Sequence, residues 1–269
     1  MRVEVIRSVT LKLLLGFSLK ADWKPVPLIW SAQRLVALLA LTEQPPSRAC
    51  VAGTLWPETT EARANANLRS SLWRVQRACG RLVIALPQRL VLAPEVTVDV
   101  HSAITGAHRM LDSADPCEDI LGVEMMSLLS GDVLPDWYED DWVVMHRERY
   151  HHLRLHALEA MCARLSAARR YGEAVQAGLA AVSAEPLRES AHQALVSVHL
   201  AQGNRFEATR QYESCRRLLH SELGLEPSAA LRALLPNEIT GRVGAVGGAR
   251  VVAESGPVPA SPVYAQPGA

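Results

Sequence analysis

The chain has 269 residues and carries 28 Lys+Arg against 28 Asp+Glu, a formal net charge of zero. With 49% hydrophobic and 21% charged residues it can fill at least one packed core, which excludes a mostly disordered chain, and its length suits two domains. Neutrality argues against a nucleic-acid partner only if it is uniform. It is not: residues 1–100 balance to +6 and residues 101–269 to −6. A basic half joined to an acidic half points to a nucleic-acid-binding module beside one that is not, although a charge run is often just a solvated face.

The apolar run Leu11–Leu19, broken by Lys12, Gly16 and Ser18, is too short for a membrane span of about 20 residues and lacks a clean small-residue cleavage site. It reads as a strand, in a cytoplasmic chain. Val26–Trp30 is a second short apolar segment, after the turn-like stretch Asp22-Trp23-Lys24-Pro25. Ser31 can cap a helix to about Thr42, with Leu35, Leu38, Leu39 and Thr42 at helical spacing, and Pro45-Pro46 stops it. Ser47 opens a short helix ending near Leu55-Trp56-Pro57. Thr59 or Thr60 opens a third, reaching Cys79, with Gly80 as its stop. Leu82–Leu86 and Leu90–Ala93 form a ribbon around Pro87-Gln88-Arg89. Two helices joined by a turn and followed by a ribbon outline a winged helix-turn-helix over residues 1–101.

In residues 102–130, Pro116 and Gly122 punctuate two short helices. From Trp142 to about Leu235 the pattern is helical, with breaks at Arg170-Tyr171-Gly172, Glu185-Pro186, Gln202-Gly203-Asn204 and Gly224 to Pro227. Glu173-Ala174 recurs as Glu207-Ala208, and Ala160 and Ala167 map onto Ala194 and Ala201, all at the 34-residue tetratricopeptide period. The expected fold is therefore mainly α with small β elements: a winged helix-turn-helix, then an all-α tetratricopeptide-like domain over 102–235. Residues 236–269 turn to Gly, Pro, Ala and Val and read as a disordered tail.

The third helix carries the chemistry. At about 100° per residue, Leu68, Leu72, Val75 and Cys79 share one stripe. Arg63, Asn67, Ser70, Arg74 and Arg77 gather opposite, with Ala66 among them and Arg69 at the flank. Such a helix buries one side and offers the other to DNA: arginine takes guanine O6 and N7 bidentately, asparagine takes adenine N6 and N7, and small residues let the helix sink into the groove. An ordinary amphipathic helix with a solvated basic face has the same pattern. Arg81 and Arg89 put positive charge at both ends of the ribbon, and Arg89 lies near its tip, within reach of a backbone phosphate or the minor groove. Arg69 and Arg89 are taken as phosphate clamps and the other five as groove and phosphate contacts.

Other constellations are weaker. Five widely spaced cysteines without a C-x-x-C pair read as free thiols. His152 and His156 have i,i+4 spacing, but no third ligand accompanies them and no metal is expected. Asp132, Asp136, Glu139, Asp140 and Asp141 surround Trp137, Tyr138 and Trp142, either as an interaction surface or, by preference, as a helix start with its aromatics docked on the core. No G-x-S-x-G elbow or phosphate loop is present, and no enzyme is expected.

Two sets of motifs resemble the SARP-type (antibiotic regulatory protein) bacterial transcriptional activators, which join a winged helix to a bacterial transcriptional activation domain. The first set is Gly16-Phe-Ser-Leu19, Lys24-Pro-Val-Pro-Leu28, Leu55-Trp-Pro57, Ala64-Asn-Ala-Asn-Leu-Arg-Ser-Ser-Leu72 and Val98-Asp-Val100. The second is Gly131-Asp-Val-Leu-Pro-Asp-Trp-Tyr-Glu139, His156-Ala-Leu-Glu159, Glu185-Pro-Leu-Arg-Glu-Ser-Ala-His192, Gly203-Asn204 with Ala208 and Tyr212, and Glu222-Leu-Gly-Leu-Glu-Pro-Ser228. Trp23 sits where a turn glycine is common, and the wing lacks a glycine-rich turn. The resemblance implies sequence-specific binding of double-stranded promoter DNA, contact with RNA polymerase, and protomers that bind repeated sites cooperatively, hence a possible homodimer. It implies no cofactor and no membrane partner. The alternative is a tetratricopeptide-like scaffold or ligand sensor that does not bind DNA.

Overall fold

A computed structural model describes residues 8–235; residues 1–7 and the expected tail, 236–269, lie outside the described residues. The elements in chain order are β1 (Val9–Lys12), β2 (Ser18–Ala21), β3 (Lys24–Pro25), α1 (Trp30–Leu41), α2 (Arg48–Leu55), α3 (Glu61–Cys79), β4 (Val83–Ala85), β5 (Leu90–Leu92), β6 (Val96–Val98), α4 (Asp99–Leu111), α5 (Val123–Ser130), α6 (Asp141–Ala167), α7 (Tyr171–Ala184), α8 (Glu189–Ala201), α9 (Arg205–Leu223) and α10 (Ala229–Ala233). The fold is mainly helical, with a small N-terminal sheet, a winged-helix-like unit and tetratricopeptide-like helices after it.

The apolar run read as one strand is two. β1 and β2 pair antiparallel, Leu11 opposite Leu19, and the chain reverses through Leu15 and Gly16, both at positive φ (65° and 128°). The strand ends because its next amides are taken elsewhere: those of Leu13 and Leu14 donate to the Asp99 carboxylate at 2.8 and 3.1 Å. Val26–Trp30 is no strand either, since only Lys24–Pro25 pairs with β2 and α1 begins at Trp30. The prolines at 25 and 27 remove the donors a longer ladder needs. One strand escaped the sequence reading: β6 lies parallel to β1 and completes a sheet of order β3-β2-β1-β6.

The helix-turn-helix follows the sequence closely. The Ser47 hydroxyl caps α2 by accepting from the Cys50 amide at 3.1 Å, and Gly80 ends α3 at φ 57°, where a side chain is strained. The β4–β5 hairpin closes the wing through Ala85 and Leu90. At the β2–β3 turn, Asp22 and Trp23 both hold positive φ, so Trp23 takes a conformation suited to glycine.

α6 and α7 form one helical hairpin, and α8 and α9 a second. The repeated Ala174 and Ala208 are fully buried in α7 and α9. Gly178 in α7 lets the hairpins close: a Cβ there would meet Leu195 Cδ2 at 2.6 Å and Cys162 Sγ at 3.3 Å. Glu159 on α6 accepts from Arg188 Nε at 2.7 Å and from the Ser190 hydroxyl at 2.6 Å, tying α6 to the start of α8. Burial alone would raise the Glu159 carboxyl, but these two donors outweigh it and hold its pKa below the usual range.

Residues on either side of position 101 share packing. Val100 and Ala103 of α4 belong to the core that holds the sheet and α1–α3, while Ala107 and Met110 belong to the core of the later helices. The expected division at 101/102 thus falls within α4. The segment Gly131–Asp140 crosses back to the sheet: the Leu134 amide donates to Leu13 O at 2.8 Å and the Leu15 amide to Asp132 O at 2.9 Å. Arg147 on α6 clamps this segment by donating to Val133 O and Leu134 O. Asp140, only 3% exposed, accepts from Arg34 Nε of α1 at 2.8 Å and from Trp142 Nε1 at 2.9 Å.

Three outcomes follow for stability. Arg34→Met leaves the Asp140 carboxylate buried without its cation and should cost about 3 kcal/mol in chemical denaturation. Gly178→Ala should cost a net ~1–2 kcal/mol, overpacking against Leu195 outweighing the gain in helix propensity. Because the Glu159 pKa is depressed in the folded state, its contribution is present above the unfolded carboxyl value and disappears as pH falls through the folded one. Glu159→Gln should therefore lower stability at neutral pH and flatten the loss of stability at pH below about 4.5, measured by urea titration at stepped pH.

Candidate nucleic-acid interface

α3 is a 19-residue helix whose buried stripe is Ala64, Leu68, Ser71, Val75 and Cys79. Leu72, expected in the stripe, is half-buried at its edge, and Ser71 holds the interior position. Burial pushes the Cys79 thiol pKa up, with the charge of Asp22 adding to it, so Cys79 stays a neutral core group.

Arg63, Ser70, Arg74 and Arg77 are exposed along one side of α3, and Asn67 in the same row is half-buried. Arg69 is exposed on the other flank. Among the described residues, none of Arg63, Arg69, Arg74 and Arg77 has an ion pair. The structure therefore places six of the seven expected residues on α3, five of them exposed and Asn67 half-buried.

The seventh lies elsewhere. Arg89 is exposed at the β4–β5 turn, where the Leu86 amide donates to Arg89 O. Its Nη1 donates to Pro45 O at 2.7 Å, and the Arg48 amide donates to Gln88 O, so the ribbon tip is docked on the loop that enters α2. Part of the Arg89 fork is occupied by the protein itself.

Three residues outside the expected set complete the surface. Trp73 is 57% exposed in the row formed by Ala62, Ala66 and Arg69, and the Arg77 guanidinium lies over its ring at 5.3 Å from the centroid. Its place on the polar side of the helical wheel is the sequence signal for that exposure, although tryptophan is more often a core residue. Arg48 and Arg81 line a cleft of about 500 Å³ between the start of α2, the second half of α3 and β4, together with Arg69, Trp73 and Gln76. No lining residue is acidic. Arg48 sits at the first turn of α2, whose helix dipole adds positive potential. Its role was not legible because three separate segments have to fold together before the arginines converge.

The remaining constellations resolve into packing. His192, 2% exposed, donates from Nε2 to Pro186 O at 2.9 Å and accepts from Gln211 Nε2 at 2.8 Å, a satisfied core histidine. Trp137 is buried against Phe17, Trp30 and Trp142, while Tyr138 stays exposed. Among the described residues, no helix is long and apolar enough to cross a membrane.

Residues 123–237 match the family model of the bacterial transcriptional activator domain. A comparison with curated proteins gives no match. A solved structure of Mycobacterium tuberculosis EmbR in complex with a low-affinity phosphopeptide is similar in fold, with a TM-score of 0.68 at 20% identity, over 89% of this chain and 69% of that chain. Residues 123–237 are thus similar to the bacterial transcriptional activator domain and lie behind a winged-helix-like unit, the arrangement that the resemblance to the SARP-type activators led one to expect.

Proposed function

We propose that this chain is a sequence-specific regulator that binds double-stranded promoter DNA through residues 1–101 and activates transcription. The carrying observation is the row of exposed, unpaired arginines on α3 in a winged-helix-like unit next to a transcriptional activator domain. In this reading α3 enters the major groove. Arg74 and Arg77 reach base edges or flanking phosphates, and Asn67 and Ser70 supply shorter polar contacts. Ala62 and Ala66 keep the helix surface low.

The cleft of Arg48, Arg69 and Arg81 takes the sugar-phosphate strand beside the groove, assisted by the N-terminus of α2. Arg89 has a partial claim on phosphate through the nitrogens that Pro45 leaves free. Protomers bound to repeated sites then form a dimer on DNA, and the helical half contacts RNA polymerase, as in the family the chain resembles.

Sequencing genomic fragments retained by the purified full chain supplies the operator, and fluorescence anisotropy then measures its affinity. Arg74→Ala should weaken operator binding by about 1–3 kcal/mol while leaving helicity and nonspecific affinity nearly unchanged. Arg81→Ala should weaken specific and nonspecific binding alike and reduce the salt slope by about one. Absence of DNA retention at low salt, with the folded chain still capturing a protein partner, would replace this reading by the scaffold alternative.

A further inference from the structure

A second cleft, of about 290 Å³, opens where the end of α1, α4 and α6 meet. Its size lies just below the range for small-molecule sites, roughly 300–1,000 Å³, which restricts it to a small ligand. The floor is apolar, built from Leu41, Val100, Ile104 and Leu153. The polar groups stand at the rim: His108 on α4, and His146 and Arg149 on α6, facing Glu43 beyond the end of α1.

The rim has spare donors. Among the described residues Arg149 meets only Glu43, at 3.4 Å, in a pair whose members are both largely exposed. Among the described residues neither His108 nor His146 has a side-chain hydrogen bond; His146 makes only an edge contact with Trp142. Burial, reinforced by the Arg149 charge, holds the His146 pKa below the ordinary histidine value, so at neutral pH it offers one N–H as a neutral ring. His101 is different. Its Nε2 is committed to Ala40 O at 2.6 Å, which ties α4 to the end of α1 and leaves Nδ1 as an acceptor.

An apolar floor with a few convergent donors and one arginine fork suits an amphipathic anion. We propose that this cleft binds a small organic acid, its hydrocarbon body on Leu41, Ile104 and Leu153 and its carboxylate on Arg149 with His108 and His146. The ligand carboxylate competes with Glu43 for Arg149. Glu43 stands just before Pro45-Pro46 and the cap of α2, so occupancy acts directly on the loop that positions the helix-turn-helix. The site thereby couples a metabolite-sized acid to the surface assigned to DNA, while its existence does not depend on that assignment.

The test uses the full isotope-labelled chain without DNA, with benzoate as probe and benzamide as its uncharged match, read by amide chemical shifts. Benzoate should give saturable shifts confined to Thr42, Ile104, Arg149 and their neighbours, at least tenfold tighter than benzamide. Arg149→Gln, an exposed change that leaves packing intact, should weaken benzoate at least tenfold and leave benzamide unchanged; Ile104→Trp should fill the floor and abolish both. Equal binding of the two probes, undiminished benzoate binding by Arg149→Gln, or no saturable shift at these residues overturns the proposal.

Discussion

The buried carboxylate of Asp140 is the constraint around which the two halves are organised. A carboxylate at 3% exposure is tolerable only if its charge and lone pairs are met, and Arg34 and Trp142 meet them. Arg34 belongs to α1, in the same unit as α3, whereas Asp140 and Trp142 open α6. The pair therefore specifies where the long helix begins relative to the helix-turn-helix. Hydrogen bonds around it follow the same logic. Segment 131–137 gives its backbone to the end of β1 and to Arg147, and Asp99 holds the two amides at which β1 stops.

This seam makes α1 a shared element. One side of it supplies Leu35, Val36 and Leu39 to the core beneath α3, and Arg34 to the start of α6. Its end meets α4 through His101 and α6 through the Glu43–Arg149 pair. A change in how α6 sits is thus transmitted to α1 by packed and hydrogen-bonded contacts, not across a flexible linker. α3 and the start of α6 are thus both tied to α1, which packs in the core shared with the sheet.

Charge is used differently on the two sides of that element. In the helical half several arginines are paired with carboxylates of that half: Arg109 bridges Asp115 and Asp119, Arg188 holds Glu159, and Arg216 lies on Glu213. Among the described residues the arginines of α3 have no ion pairs, and the cleft beside it has three arginines and no acid. Unpaired guanidinium groups in one place repel one another and give that face a positive potential. The overall neutrality of the chain conceals this separation because carboxylates in the helical half balance α3 arginines that have no ion pair among the described residues.

The helices and their stops were legible from local chemistry. Ser47, Gly80, Gly122, Asn204 and Gly224 act within a few residues of themselves, and the 34-residue offset pairs Ala174 with Ala208 as the buried face of equivalent helices. The polar row of α3 was legible too, since one helical period places Arg63, Ser70, Arg74 and Arg77 together whatever surrounds them. Long-range pairing was not. The split of Leu11–Leu19 into two strands depends on Asp99 taking the next amides, and β6 reaches β1 across more than eighty residues. Arg48 and Arg81 join Arg69 only after α2, α3 and β4 fold against each other, and Arg89 turns toward Pro45 only because the ribbon tip docks there. Sequence by itself determined which residues share a helix face, because that is set by a period of 3.6. Tertiary structure alone decided which faces meet, because hydrogen-bond and charge partners were chosen from segments remote in the chain.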